Sequence, residues 1–534
     1  MKVKLMGAAR TVTGSCYIIE TTGHRFAVDC GMHQGNDEIE KRNWEVDLYD
    51  PQGIEFILLT HAHMDHSGLI PRLVQKGFSG KIYMTPPTAE LLHIMLLDSA
   101  HIQEMEAQWK SGKRQRHGES DITPLYVQKD AMDSFPLFAS IPYDKPFSPF
   151  PGLTVTLRDA GHILGAAMIE LSLTEDGKQS KVVFSGDIGR PSQLIVRDPT
   201  VITDADYLFM ESTYGNRNHK DETDSLNELA EAISFSYKHG EKVIIPAFAV
   251  GRTQEMIYSL HLLAKSGRLP DIPIFVDSPL AIKATEIFKK CRRYMDEDTK
   301  KILAAGDDPL HLPRLQYTQS TAESMEINNN KGPAVVISAS GMANAGRIKH
   351  HLRHNLWREG ASIVFVGFQA QGTPGRKIVD GARKIHILSE DVAVRAKIFT
   401  INGFSAHSGQ SQLLEWFGNF RNRNIVTFLT HGEYNAQQAL AKLIKERFSI
   451  DASIPEYLEE ITLTPGMQPE VVTYPEKAKP HIDWDYLIAD MEGRLAQIKN
   501  RRETLEKKGW VEQADLRDRI LETSKDLAGI IAEI

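Results

Sequence analysis

Residues 60–68, THAHMDHSG, place three histidines and an aspartate within six positions directly behind the apolar run IEFILL. Imidazole and carboxylate groups are costly to take out of water unless something pairs with them. His61, His63, Asp65 and His66, crowded at the end of a buried strand, therefore need a partner, and a divalent metal suits such N and O donors. One histidine alone would far more often be a satisfied loop residue than a ligand. Four polar groups together would be an uncompensated cluster of buried charge. In the pattern HxHxDH the two odd-spaced imidazoles lie side by side, while Asp65 and His66 turn toward a second point. That arrangement suits two ions rather than one, and imidazole with carboxylate favours zinc, with manganese or iron also compatible.

The elements that must hold these groups are legible around them. HRFAVDCG, IEFILLTH, KIYMTP, LTVTLRDAGH, AAMIELSL and KVVFSGD are short, rich in β-branched residues and bounded by Gly, Pro or Asp, as strands are. A helical pattern covers residues 88–109. From about residue 205 apolar runs (YLFMES, KVIIPA, IPIFVDSPL, PAVVISASGM, SIVFVGFQ) alternate with amphipathic helices, which predicts a parallel βαβ sheet. Ligands of such sheets sit at the carboxyl ends of the strands. Asp29, His61, Asp187, Glu211, Ser340 and His431 all fall at such ends, and His162 lies between two strand patterns in DAGHILGAA, where flanking glycines allow a close backbone approach.

The chain of 534 residues is too long for one core and predicts two to four domains. Its 41% apolar and 25% charged residues fit an ordinary globular protein. No run of 18 apolar residues occurs, and MKVKLMGAARTVTG enters strand-like sequence without a signal peptide, so a cytoplasmic location is expected. Cys16, Cys30 and Cys291 form neither a disulfide framework nor a CxxC pair, which leaves N and O ligands for the metal. The net charge of −8 gives no global sign of nucleic-acid binding, and the basic stretches 110–118 and 421–424 read as solvated faces. Beyond the linker TYPEKAKPHID, Trp484, Ile488, Met491, Leu495, Ile498 and Leu505 recur at heptad-like spacing, and Leu516, Ile520, Leu527, Ile531 and Ile534 form a second stripe. A helical hairpin is predicted there, covered either by the main body or by a second copy in a homodimer.

The motifs VDCG (28–31), HAHMDH (61–66), GHILGA (161–166), FSGD (184–187), ESTYG (211–215), PAFAVGR (246–252), ISASGM (337–342), FSAHSG (404–409) and LTHGE (429–433) occur in that order. Over residues 1–470 the chain thereby resembles the beta-CASP branch of the metallo-β-lactamase superfamily, RNA- or DNA-directed nucleases that include the cleavage and polyadenylation nuclease subunit. The resemblance implies an α/β fold: a metallo-β-lactamase αββα sandwich with an inserted α/β cap domain and a C-terminal helical tail. It divides the chain into 1–211 and 399–470 for the metallo-β-lactamase domain, 212–398 for the cap and 471–534 for the tail. It further implies that His61, His63 and His162 hold one zinc, that Asp65, His66 and His431 hold the other, and that Asp187 bridges them. Asp29 resembles the carboxylate that orients ligands, His407 the histidine at the scissile phosphate, and Glu211 the acid that positions it.

Those roles imply a zinc-dependent phosphodiesterase, a ribonuclease of RNA processing or decay acting on single-stranded RNA by metal-activated hydroxide attack, with His407 protonating the leaving oxygen. The cap would roof the metals. Backbone N–H groups around Ser340 and Gly341 form a candidate phosphate nest, with Arg252 and Arg376 as further contacts; an ion pair is the competing role for each arginine. Many relatives carry an aspartate where Gly409 stands, so that carboxylate's hydrogen bond is expected to be missing. FQAQGTPGR (368–376) does not resemble the loop that reads a 5′ monophosphate, which leaves endonuclease against exonuclease open. The alternatives are a thioesterase-like hydrolase on the same metal core, which would need neither Glu211 nor His407, a DNA-directed nuclease, and a non-catalytic RNA-binding subunit, which would have lost ligands.

Overall fold

The computed structural model describes all residues except 22, 116–119, 176, 371, 466, 474–483 and 534, so part of the basic stretch 110–118 and nearly all of the linker 473–483 lie outside the described residues. Two sheets face each other. The first runs, in spatial order, Glu470–Val472, Glu460–Thr462, Lys2–Leu5, Tyr17–Thr21, His24–Val28, Phe56–Leu58, Lys81–Met84 and Phe138–Ser140. Its members pair antiparallel as far as His24–Val28 and parallel beyond it. The second runs Ala452–Ser453, Val426–Thr430, Tyr207–Glu211, Lys178–Phe184, Ala167–Glu175 and Leu153–Asp159.

Alternation builds the contact between them. Strand Ala167–Glu175 turns Ile169, Leu171 and Leu173 inward and leaves Glu170 and Ser172 less covered. Tyr17 of the first sheet meets Phe184 and Phe209 of the second at ring separations of 5.0 and 5.5 Å, and its hydroxyl reaches Thr430 Oγ1 at 2.8 Å. Helices Ile70–Gln75, Pro86–Gln115 and Gln128–Ser134 pack together beside the first sheet, and Gln410–Phe417 and Tyr434–Phe448 beside the second, completing an αββα sandwich.

A third sheet forms the inserted layer: Leu315–Tyr317, Ile274–Val276, Val335–Ser338, Val243–Pro246, Ser362–Phe365 and Lys397–Thr400, every pair parallel. Strands Val335–Ser338, Val243–Pro246 and Ser362–Phe365 in its interior are buried at every position, as apolar strands covered on both faces must be. Helix Glu222–His239 begins where the Asp221 side chain accepts the Asp224 N–H at 2.7 Å and ends at Gly240, whose φ of 68° a β-carbon would oppose. The last strand, Lys397–Thr400, straddles the boundary expected at 398, and Glu470–Val472 straddles the one expected at 470.

Residues 479–534 form a separate unit. It contains helices Trp484–Asn500, Arg502–Glu506 and Trp510–Glu533, with Trp484, Ile488, Met491, Leu495 and Ile498 exposed along one stripe. Among the described residues no helix is long and apolar enough to cross a membrane.

Candidate metal centre

The centre is built from strand ends. Strand Phe56–Leu58 runs out at Thr60, and the chain turns through His61 and His63 into the short helix Met64–Ser67. Beside it Asp29 follows its parallel neighbour His24–Val28. Asp29 Oδ1 accepts the Thr60 N–H at 2.8 Å, the Thr60 hydroxyl lies 2.9 Å from both carboxylate oxygens, and His66 Nδ1–H donates to Oδ2 at 2.7 Å. That acceptor fixes the tautomer of His66 and turns its Nε2 inward, the usual task of a carboxylate behind a ligating histidine. The strand and the ligand loop approach so closely that a β-carbon on Gly31 would stand 1.7 Å from the Asp65 carbonyl oxygen, so only glycine fits.

Asp187 occupies the middle. Its Oδ2 lies 3.4 Å from both His61 Nε2 and His162 Nε2, while Oδ1 lies 3.2 Å from His66 Nε2 and 3.6 Å from His431 Nε2. Each oxygen thus faces a different set of imidazoles. His63 Nδ1 stands 3.1 Å from His61 Nε2 and 3.2 Å from His162 Nε2, and His431 Nε2 stands 3.5 Å from Asp65 Oδ2. Donors on one tetrahedral zinc with bonds of about 2.0–2.1 Å are themselves about 3.4 Å apart, so this crowding has the spacing of a ligand set.

A fit test comes from unfilled hydrogen-bond capacity. His66 Nε2, His431 Nε2 and Asp187 Oδ1 are buried without a hydrogen-bond partner. Neutral imidazoles fit the same reading: burial pushes His61 down to about 3 and His63 to about 4, and holds His162 well below the usual histidine range. For His66, burial is outweighed by the Asp187 and Asp29 carboxylates, which raise it. The groups His61, His63, His162, Asp187 and Asp65, His66, His431 each converge tightly enough to hold a cation. Glu211 can be grouped with Asp187 and His431 by distance, but both its oxygens already accept hydrogen bonds.

Glu211 ends strand Tyr207–Glu211 in full burial. It accepts the Ile188 N–H and the Thr213 hydroxyl, each at 2.5 Å, and His407 Nδ1–H at 3.1 and 3.2 Å. His431 Nδ1–H donates to the same Thr213 hydroxyl oxygen at 3.0 Å, so one threonine links the acid to the His431 ring and sets its tautomer. Burial would lower the His407 pKa, but the Glu211 and Asp187 carboxylates outweigh it and raise it to about 9. The ring stands 4.5 Å from that of His162, against the cluster.

The cap candidates fall differently. Arg252 is ion-paired with Glu255 on its own helix, and Glu255 also receives Arg190 of the sandwich at 3.2 Å, so it is the Arg190–Glu255 pair that ties the two layers together. Arg376 pairs at 2.8 Å with Asp380, the residue that caps the end of its own helix. The Ser340 N–H donates to the Ala345 carbonyl at 3.2 Å, and the Ser340 hydroxyl to Asn344 Oδ1 at 2.7 Å, so Ser340 closes its own loop. Gly341 lies beneath the Phe248 ring. Gly409 starts helix Gln410–Phe417, its N–H donating to Gln412 Oε1 at 2.9 Å. Thr60 and Thr213 escaped the sequence reading, although each adjoins a motif acid or histidine and carries a hydroxyl that bonds it.

Comparisons with known proteins agree with this geometry. The Metallo-beta-lactamase superfamily profile matches residues 9–232, the Beta-Casp domain residues 253–378, and the Zn-dependent metallo-hydrolase RNA specificity domain residues 391–455. The chain is 34% identical to Ribonuclease TTHA0252 of Thermus thermophilus, across 84% of this chain and 96% of that protein. It is 30% identical to the transcription termination factor FttA of Methanosarcina mazei, across 87% and 72% respectively. A crystal structure of a protein of unknown function from Enterococcus faecalis V583 shares the fold at 12% identity, with a TM-score of 0.50 over 86% of this chain and 99% of that one. With that ligand cluster and these relatives, the chain belongs to the beta-CASP family of metallo-β-lactamase-fold nucleases, which use metal.

Proposed function

We propose that this enzyme hydrolyses single-stranded RNA with two zinc ions, in the processing or decay of RNA in the cytoplasm. His61, His63 and His162 would hold one ion, Asp65, His66 and His431 the other, with Asp187 between them. Bound there, two divalent cations supply a water activated near neutral pH and a clamp for the charge of an in-line phosphoryl displacement. The protein's own groups do the rest. Asp29 and Thr213 fix the tautomers of His66 and His431 through the contacts given above. Glu211 holds His407 by Nδ1, which leaves the far edge of the imidazole to meet the phosphate and to deliver a proton to the leaving 3′ oxygen. The cap, residues 212–398 in this reading, confines the strand over the centre.

One observation carries this reading: a histidine and carboxylate pair beside Asp187 that takes no part in either ligand set. An ester or thioester hydrolase on the same core needs no such pair. The relatives named for ribonuclease activity and termination, and the RNA specificity profile that spans His407 and His431, support RNA as the substrate. The test combines elemental analysis with product mapping on end-labelled RNA bearing a 5′ triphosphate, a 5′ monophosphate or a blocked 3′ end. Two zinc per chain and chelator-sensitive cleavage are expected, and the product ladder reads endonuclease against exonuclease action. Hydrolysis of a thioester with no RNA cut would overturn the reading.

A further inference from the structure

Two phenylalanines of the cap stand beside the centre without being withdrawn into the core. Phe365, at the end of its strand, is fully buried, whereas Phe368, three residues on, and Phe248 remain partly open. Phe248 lies at the end of strand Val243–Pro246, its ring 6.2 Å from that of His63. Phe368 reaches the other side: its ring meets Tyr214 edge-on at 5.8 Å, and Tyr214 lies 6.2 Å from His407. One open aromatic therefore adjoins the first ligand set, and the other adjoins the side of the proposed proton donor.

Both are held from behind. The Phe248 carbonyl accepts the Thr253 N–H at 3.1 Å and its hydroxyl at 2.8 Å. Its ring rests on Gly341, where a β-carbon would come within 2.9 Å of it. Gln369 Nε2 donates to the Gly341 carbonyl at 3.1 Å and to the Gly367 carbonyl at 3.2 Å, tying the loop that carries Phe368 to the loop beneath Phe248. The spacing of the two rings is thus set before any ligand arrives. On the Phe368 side the exposed Arg217 places its guanidinium 5.6 Å over that ring and 4.8 Å over Tyr214, adding a positive charge beside an aromatic face.

Aromatic faces combined with positive charge are how proteins hold unpaired bases of any sequence. Resting on the RNA reading above, we propose that Phe248 and Phe368 are stacking platforms for the nucleobases on either side of the scissile phosphodiester, so that the enzyme demands an unpaired base at each position without reading its identity.

The test uses the full zinc-loaded chain and a short RNA in which one phosphodiester is cleavable and all other linkages are methylphosphonate. The nucleotides flanking that bond are ordinary, abasic on one side, or abasic on the other. Stacking of one base supports about a tenfold effect, so wild type should lose about that factor in kcat/KM for each base removed. Phe248→Ala and Phe368→Ala should each lose the same factor on ordinary RNA, mainly in KM. Each variant should be indifferent to base removal on one side only, and the two variants to opposite sides. Phe248→Leu and Phe368→Leu keep the packing bulk and should show the same side-selective pattern, which separates stacking from a merely structural role. Equal losses on ordinary and abasic RNA, or a wild type insensitive to base removal, would overturn the proposal. A wild type that cuts no RNA would overturn the proposed function and this inference with it.

Discussion

Two buried aspartates surrounded by histidine and hydroxyl groups invite comparison: Asp187 in the sandwich and Asp277 in the cap, both almost wholly withdrawn from solvent. Asp277 is saturated. It receives the Thr318 hydroxyl at 2.6 Å, the Ser324 hydroxyl at 2.5 Å, and Arg347 Nη1–H and His351 Nε2–H each at 2.7 Å. Burial would raise its pKa, but these donors outweigh it and hold the carboxyl well below the usual range. Asp187 has one oxygen with no donor at all, and two of the imidazole nitrogens turned toward it, on His66 and His431, lack partners too. Burial and histidine neighbours do not distinguish a metal centre from a structural staple. Unfilled bonding capacity converging on one point does.

The sharpest way to break that contrast is at Asp187. Asp187→Ala should lower the content of both metals, because each carboxylate oxygen faces a different ligand set, and should reduce RNA cleavage on the order of 10³-fold or more. Elemental analysis after zinc reconstitution and single-turnover cleavage check this. Retention of both ions would dissolve the contrast with Asp277.

His407→Ala should keep its metal, since the residue belongs to neither ligand set, yet lose about 10²-fold in cleavage rate with its proton donor. Glu211→Gln should lose less. The double variant should be barely slower than His407→Ala alone, because groups acting as a unit are not additive. Loss of an ion from His407→Ala would move that residue into the ligand set.

Asp277→Ala should leave metal content unchanged and instead cost about 3–5 kcal/mol of stability, since the buried His351 loses its carboxylate partner and the half-buried Arg347 its ion pair. Thermal unfolding reads this. The sign with pH is fixed by the lowered carboxyl: Asp277 binds its proton less readily folded than unfolded, so its contribution is present above the unfolded value of about 3.9 and is lost as the pH falls below it. The variant's unfolding curve should therefore converge with wild type in acid, and a constant difference down to strongly acidic pH would contradict the assignment.

The smallest effect is expected from the tail, which contributes to neither aspartate. Removal of residues 479–534 should leave cleavage of a short unstructured RNA within about twofold of wild type, since every group in the proposed chemistry precedes it. Light scattering on the same truncation tells whether the stripe from Trp484 to Ile498 holds a second copy. A folded, zinc-loaded truncation without activity would place the tail in the site.

The sequence by itself determined the candidate metal-binding side chains, their places at strand ends, and the alternation that yields the parallel cap sheet, because periodicity and strand termination are local properties of the chain. His61, His63, Asp65 and His66 are legible as a metal cluster for the same reason: they lie within six positions. Hydrogen-bond satisfaction is different, since the partners of a buried group come from anywhere in the chain. Only the tertiary structure could turn the two oxygens of Asp187 toward separate sets of histidines, bring Thr213 between Glu211 and His431, and set Glu255 between Arg252 and Arg190. Asp277 ends a strand as Asp187 does, and nothing in the spacing around either shows that one is saturated and the other is not. That distinction arises when Thr318, Ser324, Arg347 and His351, some 40 to 75 residues downstream, fold onto Asp277 and supply the donors that Asp187 lacks.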